Sequence, residues 1–245
     1  MQVSYREAMR QGLMRKSYQF ELPPAQGRQL VIPDIHGCAK TFKALVEKVD
    51  LTRKDRLFLL GDYINRGPDS AGVVDFILAL LGRGYDLWPL RGNHEEMLLS
   101  SDASARVGKK RRIPSLHQYH GLVDKDRKIL PQYRAFFQYL PYYFELPDYY
   151  LVHAGFDFKK ENPWEAYGQM PWIRPFDATF EQTRGKKIIV GHQPVLRPIV
   201  NKSIAENNAV IFLDNGCAMK SQPLMGQLLC FDIGTQELVA QNNIG

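Results

Sequence analysis

Six residues of this chain are of types that hold divalent metals, and they fall in five short motifs. These are Asp34-Ile35-His36-Gly37, Gly61-Asp62, Gly92-Asn93-His94-Glu95, His153-Ala154-Gly155 and Gly191-His192. Asp, His and Asn offer oxygen and imidazole ligands suited to borderline and hard cations. No cysteine takes part, which argues against a structural zinc knot and for an open, reactive site. Two ions about 3.5–4 Å apart need one ligand that bridges them. Asp62 is the natural bridge, with two carboxylate oxygens in the central motif. Asp34 and His36 complete one ion; Asn93, His153 and His192 complete the other. Asn binds through a neutral carbonyl oxygen and so limits the negative charge. Any one of these residues alone reads equally well as a cap or turn residue. The six in order are what carry the metal reading.

Each motif follows an apolar run that reads as a strand, so each ligand projects from a strand end. Strands are predicted over residues 29–33, 57–60, 87–90, 149–153, 188–191, 210–213, 228–233 and 238–241. Helices are predicted over 39–49, where Phe42, Leu45, Val46 and Val49 recur at helical spacing, and over 70–81, with Ser70 as N-cap and Gly82 as stop. A further helix is predicted over 134–143. Strand–helix alternation in the first half implies a mainly parallel α/β sheet with covering helices, and ligands gather where several strand ends meet. Turn signals at Asp214-Asn215-Gly216 and Ile233-Gly234 imply hairpins near the end. A single domain over 1–245 is expected, with 1–28 as a leading arm and 100–130 as a polar, basic insertion near the site. Within that insertion Lys109-Lys110-Arg111-Arg112 reads as a solvated run, and His117 and His120 as surface or core residues. Tyr133, Phe136, Phe137 and Tyr139 read as core, and Cys38 as a small buried filler.

The chain has 245 residues, 44% of them apolar and 24% charged. That is an ordinary globular composition. No apolar run is long enough to span a membrane, and residues 1–16 carry no apolar core of a secretory signal. Three scattered cysteines suggest reduced thiols and a cytoplasmic setting. The net charge of +6 favours anionic substrates. Nucleic acid is not the expected partner, no membrane partner is expected, and the oligomeric state is open.

In this order the motifs resemble those of the phosphoprotein phosphatase branch of the calcineurin-like metallophosphoesterases, from about residue 29 to about residue 233. The bacterial and bacteriophage lambda-type serine/threonine protein phosphatases look closest. The resemblance implies a β-sandwich flanked by helices, with a dinuclear metal site at the strand ends. It implies Asp34, His36 and Asp62 on one ion and Asp62, Asn93, His153 and His192 on the other, with a hydroxide between the ions attacking phosphorus in line. His94 matches the general acid. Arg66 matches the phosphate-binding arginine and Arg91 is its companion. Trp172-Ile173-Arg174 resembles a tryptophan-x-arginine segment whose arginine grips phosphate. Mn²⁺ is the first expectation for the metal, with Fe or Zn as alternatives.

Two positions depart from the pattern. Pro33 stands where the family has Gly, ahead of the ligands. Asn65 stands where the family has the Asp that orients the catalytic His, so no negative charge is supplied to an imidazolium. The function expected is a phosphomonoesterase acting on phosphoserine or phosphothreonine in a phosphorylated protein. The alternatives are a symmetrical diadenosine-tetraphosphate hydrolase and a non-catalytic phosphate-binding or scaffold protein.

Overall fold

The computed structural model describes residues 25–106, 119, 121–206 and 208–245. The basic run 109–112, His117, His120 and most of the leading arm lie outside the described residues.

Among the described residues, nine strands form two sheets. The first has the order β3-β2-β1-β8-β9, from β1 (Gln29–Ile32), β2 (Arg56–Leu59), β3 (Asp86–Pro89), β8 (Gln227–Asp232) and β9 (Leu238–Asn242). The second has the order β4-β5-β6-β7, from β4 (Tyr143–Glu145), β5 (Tyr149–Val152), β6 (Lys187–Val190) and β7 (Val210–Phe212). At the heart of each sheet lie three parallel strands: β1, β2 and β3 in one, β5, β6 and β7 in the other. Antiparallel strands extend both sheets. Five described α-helices accompany them: α1 (Ala39–Lys48), α2 (Ser70–Gly82), α3 (Asn93–Arg106), α4 (Pro131–Gln138) and α5 (Arg197–Ala205).

Side chains alternate along the strands with period two, and this builds three apolar layers. Val31, Phe58, Trp88, Leu151, Ile189, Ile211, Leu229 and Phe231 meet between the sheets. Their neighbours Leu30, Ile32, Leu57 and Leu59 face the other way and pack on Phe42 and Leu45 of α1 and Val73 and Ile77 of α2. On the far side, Tyr150, Val152, Ile188 and Val190 pack on Phe156, Trp164, Met170 and Phe176. Strands buried on both faces read as continuous apolar runs, which is why they are visible in the sequence. The expected calcineurin-like α/β sandwich flanked by helices is the observed architecture.

Several local expectations are corrected. The N-cap of α2 is Asp69, whose carboxylate accepts the Gly72 N–H at 2.8 Å, and Ser70 is the first helical residue. Ser70 Oγ instead accepts the Asn65 N–H at 2.9 Å. The helix expected over 134–143 is α4, running from Pro131 to Gln138, and Tyr143 belongs to β4. Tyr139 is 40% exposed, whereas Tyr133, Phe136 and Phe137 are buried. Asp214-Asn215-Gly216 is no hairpin turn, because β7 and β8 lie in different sheets; only β8 and β9 form a hairpin there. Cys38, Cys217 and Cys230 are buried free thiols.

Candidate metal centre

The C-terminal ends of the parallel strands converge. Asp34 and His36 follow β1, Asp62 follows β2, Asn93 follows β3, His153 follows β5 and His192 follows β6. Each sheet therefore contributes side chains to one cluster at the seam of the sandwich.

The loops that carry these residues are held in unusual backbone conformations. His36, Asp62, Asn65, Arg66 and His192 all have φ between 50° and 70°, the left-handed region that non-glycine residues seldom adopt. Such strain persists only where surrounding contacts over-determine it. Here the Ile35 and His36 N–H groups donate to Asp62 O at 3.1 and 2.8 Å, and Gly67 N–H donates to His36 O at 2.8 Å. Two glycines allow close approach. A Cβ at Gly92 would fall on Asp62 Oδ1, and one at Gly191 on Asp34 Oδ1.

Glu95 ties the first sheet's loops together. It is fully buried, and its carboxylate accepts N–H groups from Asp62 (2.9 Å), Tyr63 (2.9 Å) and Gly92 (3.0 Å). Its motif stands out in the sequence; its role as a clamp does not.

Except at His192, whose Nε2 accepts from Arg174 and whose neutral ring therefore carries its proton on Nδ1, the ligand atoms face one another without donors between them. His36 Nδ1 lies 3.0 Å from Ile64 O and His153 Nδ1 lies 2.9 Å from Leu60 O. A carbonyl only accepts, so both Nδ1 atoms carry the proton and both Nε2 atoms present a lone pair. His153 Nε2 nevertheless sits 3.1 Å from Asn93 Oδ1, 3.1 Å from His192 Nδ1 and 3.5 Å from Asp62 Oδ1. His36 Nε2 sits 3.7 Å from Asp34 Oδ2 and 3.6 Å from Asp62 Oδ2. Asp34 Oδ2 is buried with no hydrogen-bond partner. Lone pairs gathered in this way, with an orphaned carboxylate oxygen among them, fit cations. Among the described residues, two groups have ligand atoms within 4.8 Å of one another: His36, Asp62 and His94, and Asp62, His153 and His192. Asp62 belongs to both.

Electrostatics point the same way. Burial pushes the Asp34 carboxyl well up, helped by the nearby charges of Asp214 and Asp62. Burial and then the Glu95 charge do the same to Asp62. Burial also raises Glu95 to about 7. The imidazoles of His36 and His153 are held well below their usual range, again by burial first, and so stay in the neutral, ligating form. Burial, then Arg174, pushes His192 down to about 3. A divalent ion offsets both the carboxylate repulsion and the desolvation of the anions.

Asp214 belongs to this neighbourhood and sequence reasoning missed it. It follows β7, its Oδ1 accepts the Gly216 N–H at 2.7 Å, and its Oδ2 is buried without a partner. Burial raises its carboxyl to about 6. The strand-end rule that singles out the other residues applies to it equally, but its Asp-Asn-Gly context reads as a turn.

His94 and Asn65 are in contact. Asn65 Nδ2 lies 2.8 Å from His94 Nδ1, and His94 Nε2 lies 3.8 Å from Asp62 Oδ2. Burial, then the charges of Arg66 and Arg174, pushes His94 down to about 4. Arg174 reaches the site directly, with Nε donating to His192 Nε2 at 2.8 Å. Arg66 is exposed at the edge and its charge is felt at Asp34, His36, Asp62, His94 and His192. Arg91 is already engaged. Its Nη1 donates to Glu96 (2.9 Å) and Tyr142 Oη (3.1 Å), its Nη2 to the carbonyls of Phe137 and Gln138, and only Nε lacks a partner.

Beside Arg174 opens a cleft of about 670 Å³ lined in part by Phe156, Phe158, Trp172 and Phe176.

Comparison with known proteins agrees with this geometry. Stretches of the chain are similar to proteins named bis(5'-nucleosyl)-tetraphosphatase, symmetrical. The one from Cellvibrio japonicus is 43% identical over 70 residues, 28% of this chain and 25% of the relative. The one from Aromatoleum aromaticum is 34% identical over 125 residues, 51% of this chain and 42% of the relative. The matched stretches thus span less than half the length of these relatives. Among the solved structures that share the fold are two of differing activity by name. A candidate diadenosine tetraphosphatase superposes with a TM-score of 0.64 at 21% identity, over 91% of this chain and 97% of the other. A protein serine/threonine phosphatase from Saccharomyces cerevisiae superposes with a TM-score of 0.65 at 14% identity, over 90% of this chain and 81% of the other. The sequence profile of the calcineurin-like phosphoesterases matches residues 27–219. That span takes in every strand end of the cluster, and the chain belongs to this family of metal-dependent phosphoester hydrolases.

Proposed function

We propose that this chain hydrolyses a phosphoanhydride bond in a dinucleoside polyphosphate, diadenosine tetraphosphate being the substrate of first choice, at a centre holding two divalent ions. Asp34, His36 and Asp62 hold one ion, and Asp62, Asn93, His153 and His192 the other. Mn²⁺ suits this oxygen- and nitrogen-rich set, with Fe and Zn as alternatives. When bound, the two ions supply the charge that lowers the pKa of water and neutralises phosphate oxygens. Arg66 and Arg174 grip the non-bridging oxygens of the scissile group, and Arg91 braces the loop beside them through Glu96, Tyr142 and the carbonyls of Phe137 and Gln138. Symmetrical cleavage adds the oxygen of water to one inner phosphorus, breaks its anhydride bond to the other, and releases both halves as ADP.

The observation that carries the substrate choice is Asn65 against His94. When Asn65 Nδ2 donates to Nδ1, the neutral His94 ring holds its proton on Nε2, 3.8 Å from Asp62 Oδ2. It is then a hydrogen-bond donor to the departing oxygen, with no carboxylate behind it to sustain an imidazolium. A serine alkoxide needs a full proton in the transition state. A nucleoside diphosphate leaves as an anion that is already stable. The names of the similar proteins support the same choice. So does the aromatic cleft beside Arg174, where Trp172 is 43% exposed and offers a face for a base.

The second reading is a serine/threonine protein phosphatase. It is favoured by Arg174, which follows Trp172-Ile173 and reaches the cluster as a phosphate-gripping arginine would. One assay separates the readings. The Mn²⁺-loaded protein is given diadenosine tetraphosphate, a phosphoserine peptide and an aryl phosphate. Fast turnover of the dinucleotide to ADP with slow release from the peptide is expected. The reverse order establishes the protein phosphatase, and no turnover with intact metal binding leaves a phosphate-binding protein.

A further inference from the structure

A second cleft, of about 510 Å³, lies on the Arg66 side of the metal centre. Lys40, Arg66 and Lys220 line it, between Gly67, Pro68 and Ala218. All three cations are exposed, and none forms an ion pair with a described carboxylate. No acidic side chain lines the cleft among the described residues; the last residue of the sequence, Gly245, borders it through its backbone. Three exposed cations in one concavity attract an anionic ligand.

The position of each cation is set by the fold. Lys40 is the second residue of α1, whose N-cap residue Cys38 makes no side-chain cap bond. The first-turn N–H groups and the helix dipole add to the positive field there. Lys220 follows the loop that carries Asp214 and Cys217. Arg66 has a left-handed backbone (φ 67°) that places it between the cleft and the cluster. Its side chain lines the cleft while its backbone belongs to the loop that follows Asp62. Arg66 therefore stands at the junction of the centre and the cleft. A substrate with a single phosphoryl group fills only the centre. One with a phosphoryl chain has a further anionic group to place.

We propose that this cleft is an anion subsite in which Lys40 and Lys220 hold a second phosphoryl group of the substrate, with Arg66 shared between it and the scissile group. It makes the enzyme selective for polyphosphates over monoesters, and so rests on the phosphohydrolase reading of the metal centre.

The test uses the Mn²⁺-loaded protein and the double variant Lys40→Gln/Lys220→Gln. Calorimetric titration with ADP and with AMP measures whether the extra phosphoryl group is recognised, independently of turnover. Steady-state kinetics on diadenosine tetraphosphate and on an aryl phosphate give the second measurement. Wild type is expected to bind ADP more tightly than AMP, and the variant to lose about three- to tenfold in ADP affinity with AMP unchanged. KM for the dinucleotide rises by a similar factor at unchanged kcat, while aryl phosphate kinetics stay the same. The salt dependence of ADP binding becomes shallower. If ADP selectivity is lost in the variant but wild type does not cleave the dinucleotide, the subsite stands and the hydrolase reading falls. An unchanged preference of ADP over AMP in the variant, or equal losses for both, overturns the subsite whatever the substrate.

Discussion

Glu95 Oε2 accepts the backbone N–H of Asp62 at 2.9 Å, across two motifs 33 residues apart. The same carboxylate holds Tyr63 and Gly92, so the loops after β2 and β3 are fixed by one buried side chain. A ligand can chelate only where its backbone stays put. Gln in place of Glu95 turns an N–H group toward backbone donors and loosens Asp62. Metal affinity should fall by about 10- to 100-fold, the usual effect of removing a partner behind the ligands. Titration with Mn²⁺, with circular dichroism to confirm the fold, gives the result; wild-type affinity in Glu95→Gln would remove Glu95 from the centre's support.

Metal analysis of the wild-type protein should return about two ions per chain. Asp62→Asn should lose more metal than any single change at Asp34, His36, Asn93, His153 or His192, because Asp62 alone belongs to both ligand groups. Saturating Mn²⁺ that leaves no more than one ion on the wild type sinks the dinuclear assignment.

Arg66→Ala should spare metal content and weaken phosphate handling. Removing a charge-assisted hydrogen bond to a phosphoryl group costs on the order of a few kcal/mol in the transition state. A fall in kcat/KM should therefore come with weaker inhibition by inorganic phosphate. Equal phosphate inhibition of variant and wild type would show that Arg66 does not touch the anion.

Asn65→Asp should change the acid. A carboxylate beside His94 Nδ1 stabilises the imidazolium, so the pKa rises from its depressed value of about 4. The protonated form then persists to higher pH, and the alkaline limb of single-turnover rates on a phosphoserine peptide moves up. Turnover of that peptide should gain more than turnover of the dinucleotide, whose leaving group needs the proton less. Superimposable limbs, with chemistry limiting, would falsify the pairing of residues 65 and 94 in catalysis.

Far from the centre, Asp55 sets an acid limit on stability. Arg28 donates to both its oxygens, and Thr52 adds two more bonds, holding its carboxyl well below the ordinary 3.8. A carboxyl depressed in the fold contributes stability above its unfolded pKa and loses it as pH falls below about 4. Asp55→Asn should therefore lower Tm by roughly 2–4 °C at pH 7 and by somewhat less at pH 3, which lies below the unfolded pKa but still above the depressed pKa of the fold. Equal drops at both pH values would assign the effect to packing.

The strands are legible because Leu30-Val31-Ile32, Leu57-Phe58-Leu59 and Ile188-Ile189-Val190 are buried on both faces, and a run of apolar residues has few other readings. The chemistry is legible because each run stops at a residue with a lone pair to offer. Other features have no local signature. α3 is largely polar and shows no apolar stripe; β4 hides in an aromatic stretch that reads as helix; α5 opens on Arg197-Pro198, where Pro looks like a breaker but occupies the first turn. Which sheet a strand joins is a long-range matter. The two-sheet arrangement follows from the family resemblance and not from the pattern of apolar runs. Asp214-Asn215-Gly216 has the composition of a hairpin turn, yet it crosses from one sheet to the other.

That crossing has a mechanical side. Asp34, His36, Asp62 and Asn93 hang from one sheet and His153 and His192 from the other, so an ion shared between these sets would work as a rivet through two plates. Its load is carried by the apolar layer formed by Val31, Phe58, Leu151 and Ile189. Slippage of the plates pulls the rivet, and a missing rivet frees the plates to slide. A cavity cut at Phe58 or Ile189, which touch no metal, should therefore be read out as weakened ion retention. Loading the ions should restore part of the melting temperature that the cavity removes.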